Sequence, residues 1–301
     1  MASTLVLSDE VQHAIDNGLP VVALESTIFS HLGLPSPANE EALDRCETAV
    51  RAKGAIPAVT AVIDGVARVG IDSAQRALIC GPAKKMAERD IPIAIAQRWS
   101  YGATTVSAAL ALAEQAGVAV FATGGIGGVH RGAELTGDVS ADLDAIAQRG
   151  VITVSAGAKA FLDLARTLEY LETAGAPVLG WRTDMFPAFY TRSSGLPVPH
   201  RVEEAEVVAR AFMARTRSSQ GFLVAVPIPE TDEIDPIRVD AALASALEEC
   251  ASAGIVGAAV TPFVLGRIAE ATAGASLPAN LALAEHNASV AAEIAAALAA
   301  R

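Results

Sequence analysis

The stretch VAVFATGGIGGVHRGAELTGDVSADLDAIAQRGVITVSAGAK (118–159) decides the fold of this chain. It opens on a short apolar run, VAVFATGG, passes through a glycine-rich loop, and takes up helical spacing over 140–149 with Ser140 as N-cap. A second apolar run, VITVSAG (151–157), follows at once. Two short apolar strands separated by a helix read as one turn of a parallel sheet covered on both faces. The same alternation runs outward in both directions. VVAL (21–24), IPAVTAVID (56–64), PVLGW (177–181) and GFLVAVPIP (221–229) are expected strands. Helices are expected over 39–53 with Asn39 as N-cap, and over 103–116, 159–174, 203–216 and 235–253. The piece VIDGVARVGI, turning at Asp64-Gly65, reads instead as a hairpin and adds an antiparallel element. After residue 255 the strands stop and helical spacing continues to the end. No linker rich in Pro, Gly or Ser and no fixed-period repeat interrupts the chain. The expectation is one α/β domain over 1–301, a three-layer α/β/α arrangement with a largely parallel central sheet, one hairpin element and a helical C-terminal cap.

Composition narrows the class. The 301 residues are 52% hydrophobic, 19% charged and 4% aromatic, and a chain of this length buries roughly 75% of its unfolded surface without disulfides or metal. The mean hydropathy of +0.39 comes from Ala and Val spread along the chain, and no apolar stretch reaches the ~20 residues of a membrane span. The N-terminal MASTLVLSDEVQHAID has neither a basic start nor a long apolar segment, so no signal peptide and no membrane partner are expected. Cys46, Cys80 and Cys250 form no close pair, as expected of a reduced, cytoplasmic setting. Twenty-two basic against 34 acidic residues give a net charge of −12, a surface that repels nucleic acid. A small anionic substrate would need locally gathered cations. Only four of the basic residues are lysines, Lys53, Lys84, Lys85 and Lys159. Where arginine serves for plain charge, a retained lysine suggests a need for its amine.

In open α/β sheets ligands bind beyond the carboxyl ends of the strands, and the chemically informative residues fall there. VVAL is followed by Glu25-Ser26-Thr27, VAVFAT by the loop 124–132, and VITVSAG by Ala158-Lys159. The loop is not a dinucleotide fingerprint, because His130 stands at the third glycine position, nor a P-loop, because no Gly-Lys-Ser/Thr follows. Its glycines suit either a tight turn or close approach of a ligand to backbone. Asp138 and Asp142 flank Ser140, as acidic residues near an N-cap do, or as ligands of a hard cation or a hydroxyl would. Glu25 is either a hydrogen-bonded structural carboxylate or a partly desolvated general acid. Lys159, expected to start a helix after a buried strand, is either a surface lysine or an amine whose desolvation and helix terminus favour the nucleophilic form.

Taken together, VVALESTIFSHLGLP (21–35), GATTVSAALALA (102–113), VFATGGIGGVHRGAE (120–134), DVSADLDAIA (138–147), SAGAKAFLDLARTLEYLET (155–173), TDMFPAFYTRSSG (183–195), VAVPIPE (224–230), VTPFVLGRIAE (260–270) and the helix of Asn280 and Asn287 resemble the pseudouridine-5'-phosphate glycosidase family, which includes the indigoidine synthase A proteins. The resemblance implies reversible cleavage of pseudouridine 5'-phosphate to uracil and ribose 5-phosphate, with one divalent metal per subunit, usually Mn²⁺, in a homotrimer. It implies Glu25 as proton donor, Lys159 as covalent lysine and Asp138 as metal ligand. It implies Ser140, Ala141, Asp142, Val106 and Asn280 as substrate contacts, together with Lys85, five residues before Asp90, with the adjacent Lys84 as the alternative. His31 lies in SHLGLP, which is one residue longer than the family's usual SHGLP. The residue types suit the chemistry: a C–C glycosidic bond has no leaving heteroatom, so two carboxylates do not suffice, and a lysine imine supplies the electron sink. Arg131 and Lys85 are expected to offset phosphate charge. Two other classes fit the same residues less fully: another lysine-imine lyase acting on a sugar phosphate, and a non-catalytic nucleotide-binding module.

Overall fold

The run Ile56–Ile63 is buried almost throughout, with no polar alternation, so it must be covered on both faces. In the computed structural model, which describes residues 5–255 and 260–301, this strand belongs to two sheets at once. Strands are β1 (Leu5–Leu7), β2 (Val21–Leu24), β3 (Ile56–Ile63), β4 (Val66–Val69), β5 (Lys84–Met86), β6 (Tyr101–Thr104), β7 (Val120–Ala122), β8 (Ile152–Ser155), β9 (Val178–Trp181), β10 (His200–Val202) and β11 (Phe222–Ala225). Helices are α1 (Asp9–Asp16), α2 (Ala38–Ala52), α3 (Ser73–Ile79), α4 (Ile91–Ala96), α5 (Val106–Ala116), α6 (Ala133–Thr136), α7 (Ala141–Gln148), α8 (Leu164–Ala174), α9 (Ala205–Met213), α10 (Pro236–Ser252), α11 (Val260–Ala271) and α12 (Ser276–Ala299). The first half of β3 pairs in parallel with β2, register Val22↔Pro57. Its second half pairs antiparallel with β4 and β6, registers Val62↔Ala67 and Val62↔Gly102.

The main sheet, in the order β3-β2-β7-β8-β11-β9-β10, is parallel at every described pairing. The expected parallel sheet and the hairpin at Asp64-Gly65 are both present. Asp64 and Gly65 take φ of 50° and 76°, the left-handed pair that a two-residue hairpin turn needs. The hairpin is part of a second sheet, β1-β4-β3-β6-β5, that the sequence did not announce. Its short strands KKM and YGAT lack the β-branched density that marks the others. For that reason the helix expected over 103–116 begins only at Val106, after β6.

Two further expectations are corrected. Asn39 is not an N-cap. It lies inside α2, fully buried, and its amide donates to the carbonyls of Phe29 (2.9 Å) and Cys80 (2.8 Å). The helix expected from 159 starts at Leu164, capped by Asp163, so Lys159 sits in a loop rather than at a helix terminus. The C-terminal segment is helical, and α12 is more than a cap: it packs on α2, α9, β2, β7 and β8, with fourteen buried residues. α5, α7 and α8 form a separate layer. Residues 1–4 and 256–259, the latter within the stretch expected to be helical, lie outside the described residues. No helix among the described residues is long and apolar enough to cross a membrane, and the three cysteines are free and buried.

Candidate active site

In the main sheet β2 connects outward to β3 on one side, while its other neighbour, β7, leads on to β8. The chain order reverses between β2 and β7, the place where an open sheet can receive a ligand, and a small cavity lined by Leu24, Glu25, Thr123 and Gly124 lies at their carboxyl ends. Glu25 follows β2 there and Thr123 follows β7. The Thr123 hydroxyl donates to Glu25 Oε1 across the gap. Glu25 is only 8% exposed. Burial pushes its carboxyl above the usual range, with Asp142 adding to the rise and Lys159, the Thr123 bond and Lys85 opposing it.

The backbone that carries Glu25 is pinned by a buried hydroxyl cluster. Ser26 N–H donates to Thr104 Oγ1 (3.1 Å), Thr104 N–H donates to Ser26 Oγ (2.9 Å), and Thr104 Oγ1 also meets Thr60 Oγ1 (2.8 Å). Thr27 Oγ1 donates to the Thr104 carbonyl at 2.7 Å. These bonds tie the β2 end to β3 and β6, where the two sheets part. On the other side Asn287 of α12 donates to the carbonyls of Thr123 (2.8 Å) and Gly124 (3.2 Å).

Lys159 comes from the loop after β8. Its amine donates to the Gly125 carbonyl at 2.9 Å, and its backbone N–H to Ile126 O at 3.1 Å. Asp142, 6% exposed, bridges two loops: Oδ1 accepts from Ser107 N–H (3.0 Å) and Oδ2 from Gly127 N–H (2.9 Å). A Cβ at Gly127 would overlap Ser140 Oγ and stand 2.8 Å from Asp142 Oδ2, so here the glycine is required by close approach. Ser140 caps α7 as expected, accepting from Asp142 N–H at 3.2 Å. Ala141 is the exposed first residue of that helix. Val106, which opens α5, is buried beside Ser107.

Lys85, on edge strand β5, joins the cluster. Surrounding protein and the nearby Lys159 pull its amine below the usual lysine range, against Asp142 and Glu25, although much of its side chain stays accessible. Lys84, one residue earlier, points the other way and lies 4.7 Å over the Trp99 ring, as strand alternation requires. His130 stands nearby: burial lowers its imidazole, Asp138 opposes this, and Lys85 and Lys159 add to the lowering.

The remaining expected residues divide. Asn280 of α12 is 7% exposed, its Oδ1 near Gly124 and without a hydrogen-bond partner. Asp138 is half-buried, its Oδ2 3.8 Å from His130 Nδ1. Among the described residues no three His, Cys, Asp or Glu side chains converge on a chelating site. A lone carboxylate with an imidazole at that distance fits a hard cation that keeps most of its waters, and does not fit tetrahedral zinc. Arg131 is exposed and bonds the Phe161 carbonyl through Nε (3.2 Å). His31 is exposed, with its N–H on Gly81 O at 3.1 Å. Sequence reasoning missed Thr123 as the partner of Glu25. Its signal was a hydroxyl at the end of an apolar strand, inside the quoted VFATGG.

A buried acid, a lysine amine and further charged groups, drawn from four separate parts of the chain, bring a proton donor and an amine close together. Comparison with known proteins bears on this arrangement. A family model described as indigoidine synthase A like protein matches residues 10–297. A pseudouridine-5'-phosphate glycosidase of Roseiflexus sp. is 51% identical, covering 98% of this chain and 96% of its own length. One from Methylobacterium nodulans is 50% identical, covering 98% and 88%. Among solved structures, the prealnumycin C-glycosynthase in complex with ribulose 5-phosphate superposes with a TM-score of 0.90 at 41% identity, covering 98% of this chain and 97% of that one. An indigoidine synthase A-like protein from Thermotoga maritima gives 0.87 at 36%, covering 99% and 97%.

Proposed function

The chain belongs to the indigoidine synthase A-like family, and we propose that it is a pseudouridine-5'-phosphate glycosidase that breaks a C–C glycosidic bond through a lysine imine. Pseudouridine 5'-phosphate and water give uracil and ribose 5-phosphate, reversibly. The observation that carries the reading is the meeting of Glu25, raised by burial, with Lys159 at the β2–β7 switch point. The Lys159 amine bonds the carbonyl of Gly125, the residue after the Gly124 that lines the Glu25 cavity.

The Lys159 amine, as free base, attacks C1' of the ribose. The C1'–O4' bond breaks, and O4' takes the proton that the nitrogen gives up, relayed by Asp142. C1' then carries the lysine nitrogen and C5 of uracil. Glu25 delivers its proton to C5, the C1'–C5 bond breaks, and the nitrogen lone pair closes a C1'=N double bond. Uracil leaves. Water hydrolyses the imine to ribose 5-phosphate, and the lysine ammonium returns a proton to Glu25. Thr123 holds the acid's Oε1, which leaves the other oxygen to face the base.

Lys85 is assigned to the phosphate end, with Ser140, Ala141, Val106 and Asn280 as further contacts. Asn280 offers the base an acceptor that lacks a protein partner. Asp138 would hold a hydrated divalent cation, Mn²⁺, which when bound offsets the phosphate charge. Exhaustive chelation should then lower activity and Mn²⁺ should restore it better than Zn²⁺; full activity after chelation would remove the metal from the proposal. The cytoplasmic homotrimer belongs to the same reading, with a solution mass three times the 30.7 kDa of the chain expected by light scattering; a monomer mass would remove it. The deciding experiment is release of uracil from pseudouridine 5'-phosphate, followed by ultraviolet absorbance. No uracil from a folded enzyme with metal present would refute the assignment.

A further inference from the structure

The segment Thr183–Leu196 forms a strap over the loop that delivers Lys159. It is closed on itself by Phe186 N–H to Leu196 O (2.8 Å) and Ser194 N–H to Phe186 O (2.8 Å). It is anchored outward by Arg192 N–H to Glu233 Oε1 (2.8 Å) and by Ile234 N–H to Tyr190 O (3.1 Å). Within it Phe189 takes φ +65°. A bulky side chain rarely adopts this conformation, and it persists only where surroundings impose it. What Phe189 obtains is contact. Its N–H donates to Ala156 O at 3.0 Å, and its neighbour Ala188 pairs with Gly157, two residues before Lys159. Its ring, 3% exposed, stacks edge-on with Tyr190 at 4.7 Å.

The Cδ2–Cε2 side of that ring closes the space over Gly125. A Cβ on Gly125 would lie 2.5 Å from Phe189 Cδ2 and 2.6 Å from Cε2. Gly125 is the residue whose carbonyl receives the Lys159 amine. We propose that Phe189 is a positioning residue for Lys159: its left-handed backbone drives the ring against Gly125 and so fixes the carbonyl on which the amine rests. The ring need touch no substrate. The proposal rests on the reading of Lys159 as the covalent lysine.

The test is borohydride trapping of ribose 5-phosphate on Lys159, followed by mass spectrometry over a pH series. Phe189→Ala should trap at least about tenfold more slowly than wild type, with the KM for pseudouridine 5'-phosphate within about threefold, since a displacement of about an ångström is enough to cost such factors. Phe189→Gly should be more stable than Phe189→Ala, because glycine takes the left-handed φ freely, yet should trap no faster. Gly125→Ala should trap poorly, and Gly125→Ala/Phe189→Ala should recover at least about tenfold over it, because the added methyl occupies the vacated space. Should Phe189→Ala fail to fold, Phe189→Leu retains the apolar bulk, and the pH of half-maximal trapping should shift in it. A purely structural role would reduce the folded fraction and leave that pH unmoved. Wild-type trapping rates in folded Phe189 variants, or a folded double variant no faster than Gly125→Ala, would overturn the positioning role alone. No adduct on the wild-type enzyme would overturn the imine reading itself, and this proposal with it.

Discussion

The two ends of the site are built differently. At the acid end, Glu25 and Thr123 lie at the switch point of the parallel sheet, pinned by the Ser26–Thr104–Thr60 hydroxyls on one side and by Asn287 on the other. Nearly all of it is buried. At the rim, Lys85, Arg131 and Asp138 stand on an edge strand and on loops, partly or largely exposed. The dry end alters the chemistry of its groups, because desolvation raises a carboxyl and keeps a proton available. The wet end supplies charge that water and salt weaken until a ligand covers it. Reaction and binding are thereby separated in space, and substitutions at the two ends should fail in different ways.

The largest effect is expected where the two ends meet. Lys159→Ala should lower turnover by more than about 10³-fold and abolish the borohydride adduct, with the thermal midpoint little changed. An adduct that survives in this variant, or one mapped to Lys85, would end the division of roles.

Next is Glu25→Gln, which keeps shape but carries no proton. A drop of about 10²–10⁴ in kcat with KM nearly constant is expected at the dry end. A rise in KM with kcat intact would make Glu25 a binding residue and pass the acid role to Asp142. The same variant tests the burial argument. A carboxyl raised in the folded state favours folding while it is protonated, and that advantage fades as pH rises from the unfolded value of 4.5 through the raised one. Glu25→Gln should therefore gain stability relative to wild type above that window and show no gain below it, as thermal melts at acid and alkaline pH would reveal.

The smallest change is expected at the rim. Lys85→Gln should raise KM about tenfold, roughly 1.4 kcal/mol, with less effect as salt increases. Lys84→Gln, whose amine lies over Trp99, should leave KM alone. Equal effects of the two substitutions would mean that strand alternation does not select between them.

Six of the seven strands of the main sheet, the hairpin turn and the placing of Glu25 and Lys159 just beyond strand ends were legible because each is written locally. Apolar runs flank them, Asp-Gly supplies the left-handed turn, and Ser140 caps its helix where hydroxyl and backbone meet within two residues. Other features have no local signature. Lys84 and Lys85 are adjacent and chemically alike, and only the pairing of β5 with β6 turns one towards Glu25 and Asp142. Asn39 has the composition of a cap, yet the approach of Phe29 and Cys80 carbonyls makes it a buried bridge. Phe189 belongs to a quoted motif, but its left-handed backbone and its contact with Gly125 arise only when a segment some sixty residues away folds over the loop. Periodicity and capping act over a few residues, so sequence alone determined most strands of the main sheet, their parallel arrangement and the residue types at the strand ends, but neither the strand order nor the second sheet. Tertiary structure decided which of those side chains lose water and whose charges they meet, because burial and electrostatic coupling depend on distance in space and not along the chain.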